Sequence, residues 1–299
     1  MKRLLPLFGL IAAPLLAHGG AHEVERGSPG WTLDPWVTLP LAALALAYAV
    51  GAIRLWQRSG LGRSELRRGA LFFGCGWSVM AGAIVSPLHE AGERSFTMHM
   101  IEHELIMLVA TLLLVASRPG GVLLWSLPSA ARQALGGLGR AGPLRALWRL
   151  LTDPVAATAL QGAVMWVWHL PPLFDRALGH QGWHIAQHLS FLLSSLLFWW
   201  AMTRGREGRH GYGVSALCLF ATSLIGGALG ALMAVSTSPW YAGYAAMGMT
   251  LGGLTPAEDQ QLAGLLMWIP GGLFHAAAAL WFLFKWLNAS EASHAQPAR

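Results

Sequence analysis

The sequence predicts an all-α membrane protein, a polytopic bundle of seven transmembrane helices that follows a cleaved signal peptide. Of its 299 residues 55% are hydrophobic and only 11% are charged, and the mean hydropathy is +0.48. Apolar runs of roughly 20 residues, the length at which a helix crosses a bilayer, recur along the chain. A soluble globular domain is not expected from this composition.

The chain begins like a secretory signal. A basic start and an apolar core over residues 4–16 precede small residues that suit a cleavage site. We therefore expect a signal peptide at residues 1–19 and a periplasmic N-terminal segment at residues 20–35.

The membrane domain is predicted to extend over residues 36–286, with a cytoplasmic tail at residues 287–299. The predicted spans, with ends uncertain by several residues, lie near 36–56, 68–86, 96–116, 154–170, 183–203, 213–236 and 260–286.

Basic residues in the loops predict the orientation. Arginines cluster in the segments 54–68, 117–153 and 204–212, whereas the opposing segments hold only Arg26 and two others. Because basic side chains near span ends stay cytoplasmic, the mature N-terminus is predicted outside and the C-terminus inside a bacterial inner (plasma) membrane. The net charge of +6 is thereby explained by topology, and no nucleic-acid partner is expected. Membrane lipids are the expected surroundings of the bundle.

Two pairs of histidines inside the spans are the main functional signal. His99 and His103 in the third span, and His184 and His188 in the fifth, are each four residues apart and therefore share a helix face. His169 ends the fourth span at a similar depth. All five are expected near the outer face of the bilayer, where they are candidate metal ligands.

Polar residues beside these pairs are candidates for orienting the ligands. Glu102 and Gln187 occupy matching flank positions in the third and fifth spans, and a carboxylate or amide next to a histidine fixes its tautomer. Asp175 and Asp259 lie near the same outer side. Each is interpreted either as a partner of a ligand histidine or as a helix cap.

Copper is the expected metal. Imidazole binds copper, zinc, iron and nickel, and thioethers nearby favour cuprous copper. Further ligand candidates are Met98, Met100, Met267, His275 and, at the mature N-terminus, His22. His275 also fits a hydrogen bond between helices, and the segment around His22 also fits a simple tether.

Three alternatives stay open at this point. The histidines can bridge helices by hydrogen bonds without any metal. Facing histidines on different helices can be axial ligands of a haem, which would make the protein a membrane cytochrome. The string from His99 to His103 also has the H-x-x-E-H form of zinc metallopeptidases, although its second copy has Gln187 in place of the glutamate.

Several separated motifs resemble one known family over about residues 31–286. The chain is similar to the CtaG family of cytochrome c oxidase assembly factors, the multispan family needed to form caa-type oxidases. The matching motifs are His99-Met100-x-x-His103-x-Leu105, Trp168-His169-x-Pro171-x-Leu173-Phe174-Asp175-x-Ala177-Leu178, His184-x-x-Gln187-His188-x-x-Phe191-Leu192 with Phe198-Trp199, and Asp259-Gln260-x-x-Ala263-Gly264-x-x-Met267-Trp268-x-Pro270.

The resemblance implies a non-catalytic protein of the inner membrane that helps an oxidase to mature at its copper centres. Subunits of cytochrome c oxidase are then the expected partners. No turnover of a substrate is expected.

Overall fold

The structure, a computed structural model, describes residues 29–58, 62–139, 141–204, 209–250 and 252–294. The predicted signal peptide at residues 1–19 and the candidate ligand His22 lie outside these residues. We number the helices in chain order: α1 Pro35–Arg58, α2 Arg63–Val85, α3 Pro87–Arg94, α4 Phe96–Ala116, α5 Pro119–Ser126, α6 Ser129–Leu138, α7 Gly142–Leu151, α8 Pro154–Trp168, α9 Pro171–Gly179, α10 Gln181–Arg204, α11 Arg209–Val235, α12 Ala242–Met247, and α13, which begins as Pro256–Leu266 and continues as Gly272–His294.

The all-α membrane bundle is confirmed. In the described part of the chain, six helices are long and apolar enough to cross a membrane: α1, α2, α4, α10, α11 and α13. The fourth predicted span is shorter than expected, because α8 has only 15 residues. It forms a bent pair with α7 at 68°, and counting this pair as one span gives up to seven.

Two helices contain π-helical turns. Residues Leu105–Ala110 of α4 are π-helical, and Met267–Gly271 join the two parts of α13 in the same way. Such turns are rare and occur mostly at functional sites, because they change the direction in which side chains leave the helix. Both turns border one internal cavity, described below.

The two ends of the bundle differ in their chemistry. Arginines pack on tryptophan rings at the end where α1 finishes and α2 begins; one example is Arg132, which lies 4.0 Å from the centre of the Trp125 ring. The histidines lie at the other end, where α2 finishes and α4 begins. We call this second end the histidine end.

Glycines permit the closest helix contacts. A Cβ atom on Gly264 of α13 would lie 2.5 Å from the carbonyl oxygen of Gly230 in α11. A Cβ atom on Gly51 of α1 would lie 1.9 Å from the carbonyl oxygen of Val122 in α5. Small residues at such positions let backbones of membrane helices approach closely. Arg54 strengthens the second contact by donating to the carbonyl oxygens of Trp125 and Ser126.

Replacing Gly51 by alanine is expected to destabilise the protein by about 1–3 kcal/mol, because the new methyl group meets backbone that cannot rotate away. The midpoint of thermal unfolding in detergent measures this loss. The matched control is Gly74→Ala in α2, where an added Cβ meets no atom within 4 Å. That variant should be as stable as the parent or more stable; equal midpoints for the two variants would contradict the expectation.

Candidate metal centre

Five histidine rings meet at the histidine end of the bundle. α3 contributes His89, α4 contributes His99 and His103, and α10 contributes His184 and His188. The ring centres of His99 and His103 are 4.2 Å apart, those of His103 and His188 4.9 Å, and those of His184 and His188 4.5 Å. His89 stacks on His184 at 5.3 Å. We call these five residues the histidine cluster.

Three members of the histidine cluster are arranged to share an ion. His89, His184 and His188 each offer a ring nitrogen, and the three nitrogens lie within 4.8 Å of one another. Nε2 of His184 and Nε2 of His188 are 2.9 Å apart. Two nitrogens bound to one ion at about 2.0 Å lie no more than about 4 Å apart, so this pair already has a spacing suited to a shared ion. All three residues are partly exposed, which gives an ion access to them.

A buried carboxylate lies directly behind these rings. Glu102 of α4 is fully buried, and its Oε1 lies 2.8 Å from Nδ1 of His89 and 3.7 Å from Nδ1 of His188. Since an ionised carboxylate only accepts hydrogen bonds, His89 donates through Nδ1 and keeps a lone pair on Nε2. This is the carboxylate–histidine arrangement by which proteins orient metal ligands.

The charge of Glu102 favours a cation at this place. Burial of His89 opposes its protonation, but the hydrogen bond and the negative charge of Glu102 outweigh that effect and raise the pKa of His89 above its usual value. The same negative charge would stabilise a metal ion bound to the ring. His89 lies in α3, outside the candidate spans.

Several buried polar atoms around the cluster have no hydrogen-bond partner among the described residues. They are Nε2 of His99, both ring nitrogens of His103, Oε2 of Glu102 and both side-chain atoms of Gln187. Native proteins rarely leave such atoms unpaired, and unpaired ones commonly face an ion or water. The donor set of the cluster, several imidazoles beside one carboxyl group, therefore fits a metal ion.

His169 lies apart from the histidine cluster. Among the described ring contacts it packs on Phe174 and Phe191, and its Nδ1 is 2.7 Å from the carbonyl oxygen of Met165. It lines an internal cavity that His103 also borders. The sequence predicted that His169 lies at a depth similar to that of the other histidines. In the structure its ring has no described contact with theirs.

The remaining ligand candidates divide between the cavity and the surface. Met100, Met267 and His275 are buried and line the same cavity as His169. His275 also stacks on Trp199, with ring centres 5.9 Å apart. Met98 points elsewhere, since 38% of it is exposed.

The two aspartates are caps. Asp175 accepts from the backbone N–H groups of Ala242 and Gly243, and so it holds the start of α12. Asp259 accepts from the backbone of Phe96 and Thr97 and from the hydroxyl of Ser95. Neither carboxylate has a described hydrogen bond to a histidine. Asp259 instead fixes the start of α4, the helix that carries His99, Glu102 and His103.

His89 is the one member of the cluster that the sequence analysis missed. It lies in an eight-residue helix outside the spans, so a search restricted to span residues passes over it. A local signal exists: Ser86 caps α3 and Pro87 starts it, immediately after α2 ends. That start fixes His89 one turn beyond the end of a span, level with the other rings.

Comparisons with known proteins identify relatives. A family model described as Cytochrome c oxidase caa3 assembly factor (Caa3_CtaG) matches residues 46–289. Uncharacterized protein Mb0105 of Mycobacterium bovis and Uncharacterized protein MT0111 of Mycobacterium tuberculosis are each 28% identical over 181 residues, which is 58% of this chain and 26% of theirs. The chain therefore spans about a quarter of the length of these curated relatives. No solved structure matches the chain.

Proposed function

The chain belongs to the family of cytochrome c oxidase caa3 assembly factors, and from this premise we propose that it binds copper at the histidine cluster and assists its delivery to an oxidase subunit. Membership of this family supports a membrane protein that assists the maturation of an oxidase and does not turn over a substrate. In the proposal, the oxidase subunit that receives the copper is the direct partner.

The observation that carries the proposal is the grouping of His89, His184 and His188 in front of Glu102. Three ring nitrogens within 4.8 Å of one another can bind one ion, and the carboxylate behind them provides both orientation and charge. His99 and His103 pack against this group and are further ligands or exchange partners for the ion. Imidazole donors suit copper in either common oxidation state.

The proposed site faces the outside of the cell. The arginine-rich loops lie at the end of the bundle opposite to the histidines, and the preference of arginine for the cytoplasmic side supports this orientation. Copper would then enter the partly exposed cluster from the outer side of the membrane and leave toward an oxidase subunit on the same side.

The geometry gives less support to the haem and peptidase alternatives. The ring centres in the cluster lie 4.2–6.2 Å apart, which leaves no slot for a porphyrin between them, and the cavity beside them has a volume of only about 40 Å³. In a zinc peptidase, the glutamate must act on water beside the metal. Glu102 is fully buried and bound to His89 instead.

Replacing Glu102 by glutamine tests whether the histidine cluster binds copper, because Glu102 orients the ligand His89 and is not itself a proposed ligand. We expect the affinity of the histidine cluster for copper to fall by roughly 10–100-fold, the usual effect of losing such a partner, because an amide keeps the shape of the side chain but lacks its charge. Copper, iron and zinc are counted per chain in the purified protein, and affinity is measured by competition with a chelator.

Glu93→Gln is the matched control, because Glu93 lies on the same end but is exposed. It removes the same charge, which acts on His89 less strongly than that of Glu102 does and without a hydrogen bond, so its copper affinity should fall much less than that of the Glu102 variant. Unchanged affinity in the Glu102 variant would contradict the proposal. One iron per chain together with a haem absorption band would show that the cofactor is haem and not copper.

A further inference from the structure

A cavity lies deeper in the bundle than the histidine cluster. Its volume is about 40 Å³, which exceeds the roughly 10–15 Å³ that one water or a bare ion requires. Helices α4, α8, α10, α11 and α13 contribute to its lining. Its lining combines thioethers and imidazoles, contributed by Met100, Met107, Met165, Met267, His169 and His275.

Both imidazoles have a fixed tautomer. Nδ1 of His169 lies 2.7 Å from the carbonyl oxygen of Met165, and Nδ1 of His275 lies 2.9 Å from that of Gly271. A carbonyl oxygen only accepts, so each Nδ1 carries the proton and each Nε2 carries a lone pair. Because Nδ1 binds the backbone of its own helix, Nε2 lies on the side of the ring away from that backbone.

These lone pairs are unpartnered in the interior. Nε2 of His169 and Nε2 of His275 are buried and have no hydrogen-bond partner among the described residues. The two residues are only 4% and 8% exposed. An acceptor left unpaired in an apolar interior costs free energy, and a metal ion removes that cost by taking the lone pair.

The other groups around the cavity select the kind of ion. Thioether sulfur is a soft donor that suits cuprous copper, and imidazole accepts it as well. Glu104 supplies a carboxyl group within the span. A Cβ atom on Gly271 would lie 2.9 Å from both of its oxygens, so the glycine is what makes room for it. Burial favours the neutral carboxyl, so a cation that binds here would displace the proton of Glu104, and the resulting carboxylate would balance one monovalent charge.

The two π-helical turns independently point to this cavity. Met107 belongs to the turn in α4, and Met267 and Gly271 belong to the turn in α13. The turn in α13 also supplies the carbonyl that fixes the tautomer of His275. Such turns interrupt the regular helical hydrogen bonding and change the direction of the side chains. Here two of them border the same cavity.

We propose that this cavity is a second metal site, which holds a cuprous ion between thioether and imidazole ligands. His103 connects it to the histidine cluster, because this residue lines the cavity and also packs against His99 and His188. The protein then has an outer, imidazole-rich site and an inner, sulfur-containing site in series. The inner site is independent of the outer one and does not require that the histidine cluster bind copper.

Two variants separate the sites. The inner variant is Met267→Leu with His275→Leu, which removes one sulfur and one nitrogen ligand at nearly constant volume. The outer variant is His184→Ala with His188→Ala. Met98→Leu is the control, since it removes a thioether that is partly exposed on the same helix as Met100.

The full-length protein in detergent is loaded with copper under reducing conditions, and bound copper is counted and examined by X-ray absorption. We expect the parent and the control to show sulfur ligands in addition to nitrogen. The inner variant should bind one ion fewer and lose the sulfur signal, and the outer variant should bind one ion fewer and keep it. Met267→Leu alone serves as a milder variant if the double one does not fold.

Absence of sulfur ligands in the loaded parent would overturn the second site, as would an unchanged copper count in a folded inner variant. Either result would indicate that the cavity holds only water. If instead the outer variant binds as much copper as the parent, the proposed function fails while the inner site stands.

Discussion

Replacing His184 and His188 together by alanine is expected to abolish copper binding at the histidine cluster. The variant loses two of the three nitrogens that lie within 4.8 Å of one another, including the Nε2 pair at 2.9 Å, so the group of ligands that carries the proposal is gone. Both rings lie at the partly exposed edge of the cluster, so their loss should weaken the packing locally while the protein stays folded. Copper per chain and the midpoint of thermal unfolding are measured on the same sample.

The same variant tests the link to oxidase maturation. In a host that lacks its own copy of the gene, the parent should restore the caa3-type oxidase, measured by its activity and absorption spectrum, and the variant should not. His180→Asn is the matched control. His180 is an exposed histidine at the same end, and asparagine can still accept from the backbone of Gly182 as His180 does. A variant that restores the oxidase as well as the control does would refute the copper role.

Replacing Asp259 by alanine is expected to destabilise the bundle by about 3 kcal/mol. Asp259 is only 2% exposed and accepts from Ser95, Phe96 and Thr97. Its loss leaves several buried donors without a partner, and bonds to a charged acceptor are the stronger ones. The free energy of unfolding in mixed detergent micelles measures the loss.

Glu258→Gln is a useful comparison for this prediction. Glu258 lies next to Asp259 and completes the capping box of α13 with Thr255, but it is exposed. It should change stability less than Asp259→Ala does. Since Asp259 holds the helix that carries two cluster histidines, its variant should also bind copper more weakly. Full stability in the Asp259 variant would show that the contact with α4 is not needed.

Most of the membrane fold could be predicted from the sequence, because apolar length is a strong signal. The third predicted span, 96–116, agrees with α4 at both ends, and the fifth and sixth agree with α10 and α11 within a few residues. The fourth span was harder, since α8 is too short to cross alone and joins α7 at a bend. A hydropathy profile does not show where one apolar segment divides into two helices that meet at a bend.

The candidate site was predictable only where one helix determines the geometry. The spacing of His99 and His103, or of His184 and His188, fixes each pair on a helix face, and Glu102 follows from the same periodicity. Which helix faces meet depends on packing between distant segments. That is why the sequence grouped His169 with the cluster, overlooked His89, and could not assign Asp259 to its contact some 160 residues away.

The bond between Asp259 and the start of α4 has a consequence for biosynthesis. The ribosome makes the helices in chain order, and Asp259 belongs to α13, which follows α3, α4 and α10 in the chain. Until α13 has been made, the start of α4 lacks the carboxylate that holds it. We therefore expect the proposed metal loading to follow the synthesis of α13, because a nascent chain stalled before this helix would present histidines that are not yet locked in position.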